Sequence, residues 1–133
     1  RVYTIVGDGE LEEGQVWEPA MNAAQDKRDH LTAFVDNNGL QIDGPITEVM
    51  SSLPIGEKFQ AFGWHVIETD GHDMEKLHEA IEEAKTISGK PTMIVMKTVK
   101  GKGVPEIENQ VGWHGKAPSK EECERFIKAV EAE

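Results

Sequence analysis

Residues 2–6, Val-Tyr-Thr-Ile-Val, set the strongest constraint on the fold. The run is rich in β-branched and aromatic side chains and has no clean polar alternation. A strand of that kind suits a parallel sheet, where both faces are covered. Two later runs share the character, Leu31–Val35 (LTAFV) and Thr92–Met96 (TMIVM). Trp64–Thr69 alternates instead, with Trp64, Val66 and Glu68 on one face and His65 and Ile67 on the other. A buried strand needs neighbours on each side, and the first one follows Arg1 directly. The expectation is therefore that residues 1–133 form the C-terminal part of one larger α/β domain, whose upstream part lies elsewhere.

Helical segments separate the strands. A helix is predicted over Leu11–Lys27, with Val16, Ala20, Ala23 and Ala24 inward and Pro19 kinking it or making its first turn irregular. Ile55–Phe62 is a short helix candidate. Asp73 is a natural N-cap for a helix whose buried stripe is Met74, Leu77, Ile81 and Ala84, stopped by Gly89-Lys90-Pro91. Ser119 and Glu122 form a capping box that opens a last helix, with Phe126, Ile127 and Val130 as its apolar side. Residues 40–54 and 97–118 read as long connections, the second Gly-rich. Alternating strands and helices imply a parallel sheet flanked by helices. Ligands in such sheets bind beyond the C-terminal ends of the strands.

Charge narrows the ligand class. The formal net charge is -11, from 25 acids and 14 bases, which argues against nucleic acid and anionic membranes. No apolar run approaches the roughly 20 residues of a membrane span. The single cysteine, Cys123, forms no intrachain disulfide, and a reducing cytoplasm is the expected setting.

Two turns carry the chemistry. The first strand ends in Gly7-Asp8-Gly9, and the next in Asp36-Asn37-Asn38-Gly39. Gly7 and Gly9 let backbone N–H groups approach a ligand, and the following helix points its positive end there. Asp8 adds a hard anionic oxygen, which would repel a phosphate unless a divalent cation lay between them. Mg²⁺ takes six oxygens, commonly one or two protein groups plus phosphates and water. The side-chain oxygen of Asn38 and a backbone carbonyl just after it would complete the set. Either turn alone is ordinary loop chemistry; the pair, at the ends of two strands joined by one helix, is the specific signal. No Gly-Lys-Ser/Thr motif is present, which counts against a nucleoside triphosphatase.

The stretches GDGELEEGQVWEPAMNAA and LTAFVDNNGLQIDG resemble the thiamine diphosphate motif, which opens with GDG and closes with NN. The ending NNGLQIDG, with GWHVIETDGHDMEKLHEAIEEAK and the later GWHGKAPS, is similar to the N-terminal domain of transketolases, in particular the N-terminal subunit of a split bacterial enzyme. The resemblance covers essentially the whole chain. It implies a diphosphate-binding α/β fold and a Mg²⁺ (or Ca²⁺) ion held by Asp8, Asn38 and the Leu40 carbonyl. It implies cofactor contacts from the turn Gly7, Asp8, Gly9 and Glu10, from Asn38 and His114, and from Leu40 and Ile42 beside the thiazolium ring. An apolar wall there disfavours the ring's charge.

The resemblance also implies that His114 touches substrate, and that Glu13 and Glu18 lie at a subunit interface joining two active sites. Acids favour the first turn of any helix, and an isolated loop histidine is usually solvated, so those simpler explanations stay open. Lys97, Lys100 and Lys102 would attract sugar phosphates or remain solvated loop lysines. The implied activity is transfer of a two-carbon ketol unit between sugar phosphates. Deoxyxylulose-phosphate synthase, the E1 component of a 2-oxo acid dehydrogenase, and a non-catalytic cofactor- or partner-binding fragment are the alternatives. The glutamate that activates the cofactor comes, in the family, from a pyrimidine-binding domain that these residues do not contain. A partner chain and a homo- or hetero-oligomer are therefore expected.

Overall fold

The computed structural model describes residues 1–132. Four strands form a wholly parallel sheet: β1 (Val2–Gly7), β2 (Leu31–Asn37), β6 (Thr92–Lys97) and β5 (His65–Asp70), in that spatial order. Between them in sequence come α1 (Gly14–Gln25), a small hairpin of β3 (Leu40–Gln41) and β4 (Gly44–Pro45), then α2 (Ile46–Val49), α3 (Ile55–Ala61) and α4 (Met74–Thr86); α5 (Lys120–Glu131) closes the chain. The expected α/β architecture is present. In register, Val35 of β2 lies between Val6 of β1 and Val95 of β6, and Ile67 of β5 lies beside Ile94 of β6.

The sheet separates two apolar layers. Ala33, Val35, Met93 and Val95 pack with Leu11, Ala20, Ala23, Ile55, Phe59 and Trp64 on one side. Phe34 and Ile94 pack with Ala80 and Ala84 on the other. The alternation read in the fourth strand is realised, since Val66 joins the first layer and Ile67 the second. Trp64 is pinned by a hydrogen bond from its Nε1–H to the Ala20 carbonyl, 2.8 Å.

Among the described residues β1 stands at one end of the strand order, with Val2, Tyr3 and Ile5 exposed, whereas the equally apolar β2 and β6 are buried. Other expectations need correction. The helix predicted over 11–27 is divided. A single 3₁₀ turn, Glu10–Glu12, buries Leu11, and Glu13 in extended backbone then starts α1 afresh. Met74 is exposed, because the stripe of α4 that meets the sheet runs through Ala80 and Ala84. On α5 the capping box forms as expected, but only Phe126 is buried, against Trp113, and Ile127 and Val130 face outward.

The 97–118 connection is not structureless. It folds on itself through bonds such as Asn109 N–H to the Lys100 carbonyl and Ile107 N–H to the Val104 carbonyl, both 2.9 Å, with Val104 buried. A 3₁₀ turn at Val111–Trp113 follows.

Candidate functional site

The C-terminal ends of β1 and β2 open into a crevice of about 780 Å³, lined by residues of the first turn, the hairpin and the 97–118 loop. Adjacent parallel strands start the assembly: Asp8 N–H donates to the Asp36 carbonyl, 3.1 Å. The Asp8 side chain, 1% exposed, then accepts a 2.5 Å hydrogen bond from Gly39 N–H. Gly39 makes that contact with φ +79°, a conformation that favours glycine. The two turns are thus joined directly by the acid at one and the backbone of the other. Asn38 Oδ1 accepts from Leu40 N–H, 2.9 Å, which folds the chain into the hairpin. Asn38 Nδ2 donates to Asp36 Oδ1 at 3.3 Å, and the Thr98 hydroxyl donates to the same oxygen. The orientation of the Asn38 amide is therefore tied to the first residue after β6.

Ionisation of Asp8 carries an electrostatic cost. Burial pushes the Asp8 carboxyl above its ordinary value; the Gly39 and Gly9 N–H groups oppose this, and the neighbouring Asp36 charge adds to it. Glu12 also lines the crevice, with Oε1 buried and without a hydrogen bond and Oε2 3.4 Å from Gln41 Nε2. Among the described residues no group of three or more His, Cys, Asp or Glu side chains is arranged to hold a metal. A cation here would need neutral protein oxygens and oxygens from a ligand. That requirement fits a hard divalent ion shared with a diphosphate, for which the buried Asp8 carboxylate would be the anionic group.

The chain matches the family described as transketolase, thiamine diphosphate binding domain, over residues 1–131. It belongs to the transketolase family. It is 43% identical over 132 residues to a 6-deoxy-6-sulfo-D-fructose transketolase subunit of Clostridium sp., covering 99% of this chain and 48% of that protein. It is 38% identical over 130 residues to an apulose-4-phosphate transketolase subunit of Phocaeicola vulgatus (98% and 46% covered), and 41% identical over 131 residues to human transketolase (98% and 20%). Transketolase from Campylobacter jejuni superposes with a TM-score of 0.77 at 29% identity, over 98% of this chain and 24% of that one. The chain spans about half the length of the subunit relatives and about a fifth of the human protein.

On this transketolase domain the residues picked out by sequence fall into two groups. Gly7, Asp8, Gly9, Glu10, Glu13, Asn38, Leu40, Ile42 and His114 all line the crevice. Glu18 does not; it lies on an exposed part of α1. The geometry alters two local arguments. Gly7 N–H already donates to Glu10 Oε2 at 2.7 Å, so Glu10 caps the turn and that N–H is not open to a ligand. A Cβ on Gly9 would stand 2.7 Å from Gln41 Cβ, so the hairpin itself demands glycine there. Asp36 belongs to the second turn read from sequence, whereas Thr98, Glu12 and Gln41 carry no sequence signal because each meets its partner across the fold. Lys100 carried a weak sequence signal, and its partner is His114, with Nζ 3.2 Å from Nδ1. No helix among the described residues is long and apolar enough to cross a membrane.

Proposed function

We propose that this chain is the diphosphate-holding part of a transketolase that moves a two-carbon ketol unit between sugar phosphates. The observation that carries the reading is the Asp8–Gly39 bond, which joins the acid of the first turn to the Asn38 turn at the mouth of one crevice. Asp8, Asn38 Oδ1 and the Leu40 carbonyl would hold Mg²⁺ (or Ca²⁺), and Gly9, Asn38 and His114 would hold the diphosphate. Leu40 and the exposed Ile42 of the hairpin give an apolar wall for the thiazolium ring. Bound thiamine diphosphate supplies the carbanion-stabilising chemistry of ketol transfer. Glu13 opens into the crevice and Glu18 faces outward, which suits contacts with another subunit.

Two relatives are named as transketolase subunits, which supports a partner chain carrying the pyrimidine-binding half, and this chain covers about half of each subunit. Residues 1–133 would then be the C-terminal part of one cofactor-binding domain. Family membership favours transketolase over the synthase and dehydrogenase alternatives. Calorimetric titration with thiamine diphosphate tests the reading. Binding should require Mg²⁺ and disappear in Asp8→Asn, and adding the partner chain should produce ketol transfer from xylulose 5-phosphate. Binding without transfer would leave a cofactor-binding fragment, and no Mg²⁺-dependent binding would end the proposal.

A further inference from the structure

The contact between Lys100 and His114 carries information about a proton. Lys100 Nζ lies 3.2 Å from His114 Nδ1. An ammonium group has three donors and no acceptor. The imidazole nitrogen that faces it must offer a lone pair, so in the neutral ring the hydrogen sits on the other nitrogen. We propose that Lys100 is a positioning residue that holds His114 in the Nε2–H tautomer, so that the ring offers the crevice a hydrogen-bond donor. Its use by a ligand rests on the crevice being a ligand site, as proposed above; the tautomer rests on the contact alone.

The loop is built to bring this pair together. Its start is tied down by Val99 N–H, which donates to His72 Nε2 at 2.8 Å, and by the Thr98 hydroxyl on Asp36. The Lys100 carbonyl accepts from Asn109 N–H at 2.9 Å, which doubles the chain back toward residue 114. His114 N–H then donates to the Val111 carbonyl at 2.9 Å. Nearby lysines take carboxylates: Lys102 pairs with Glu108 at 3.7 Å, and Lys116 with Glu122 at 3.5 Å. Lys100 reaches an imidazole, inside the same crevice as Asp8.

The chemical consequence is specific. With Nδ1 occupied by the ammonium and Nε2 protonated, His114 has no free lone pair with which to take a proton. It serves as a donor to a phosphoryl or sugar oxygen, beside a second donor and a positive charge, and not as a general base. Both groups then recognise anionic or hydroxyl oxygens, which offsets the surplus of carboxylates around the crevice.

Long-range ¹⁵N–¹H correlation spectra of the full chain, with labelled histidine, metal-free and at about pH 8, read the tautomer directly. His114→Gln assigns the signal. The expected wild-type result is one neutral His114 species carrying hydrogen on Nε2. Lys100→Met should raise the share of the Nδ1–H tautomer, and Lys100→Arg, whose guanidinium also only donates, should return it to the wild-type share. An Nδ1–H wild-type ring, or a Lys100→Met spectrum identical to wild type, would overturn the proposal. If the Met variant does not fold, Lys100→Ala takes its place, because an Nε2–H ring in the wild type is also the imidazole's own preference and only the loss of Lys100 tests its role. No cofactor enters the experiment, so failure of thiamine diphosphate binding and failure of this inference are separate results.

Discussion

Replacing Asp8 with asparagine keeps the side-chain oxygen that meets Gly39 N–H and removes a negative charge from a side chain that is 1% exposed. The metal-free fold holds that charge against its preference. Burial raises the carboxyl above its ordinary value of 3.8, and the Asp36 charge acts in the same direction. A group whose folded pKa is raised contributes stability below its unfolded value, and loses it as pH rises through the folded value. From about pH 4 upward, metal-free wild type should therefore lose stability relative to Asp8→Asn, and at pH 8 the variant should melt at the same temperature or higher. Metal and cofactor reverse the order. At 100 times the dissociation constant a ligand adds about 2.7 kcal/mol to the wild type. For a chain of this size that is roughly a 10 °C rise in melting temperature, at about 4 °C per kcal/mol. The variant should show almost none of it. Differential scanning calorimetry at about pH 5 and pH 8, with and without Mg²⁺ and thiamine diphosphate, gives both comparisons. If Asp8→Asn melts several degrees below wild type in metal-free buffer at the higher pH, the buried charge was stabilising and the electrostatic case for a cation site fails.

Gly9→Ala would place a Cβ 2.7 Å from Gln41 Cβ, so chemical denaturation should show a loss of about 1–3 kcal/mol, largely recovered in Gly9→Ala/Gln41→Gly. A double variant no better than the single one would mean that something other than the hairpin requires glycine. Trp64→Phe removes the donor to the buried Ala20 carbonyl and should cost about 1–3 kcal/mol by urea unfolding; an effect under about 0.5 kcal/mol would show that the bond is dispensable. His72→Ala frees Val99 N–H, and hydrogen exchange should then rise across residues 98–114 while β2 stays protected. Unchanged protection of that loop would remove His72 as its anchor.

Local chemistry was enough for much of the molecule. The three apolar runs, the Asp73 cap and the Ser119–Glu122 box state their own structure, because strand propensity and capping depend on a few neighbouring residues. The two turns were legible as one site for a related reason. In a parallel sheet successive strand ends fall at the same edge, so Asp8 and Asn38 could be placed together from their order alone. The 3₁₀ break at Glu10–Glu12 was not legible, since Gly9 gives way there to a hairpin some thirty residues later in the chain.

Periodicity, composition and strand order are therefore enough for the fold class and for the residue types at the crevice. Only packing decides why Gly9 is glycine, how Thr98 and Asp36 orient Asn38, and that Lys100 meets His114. Each of those facts is a distance between segments far apart in the chain, and such distances are fixed only when the sheet, hairpin and loop pack together.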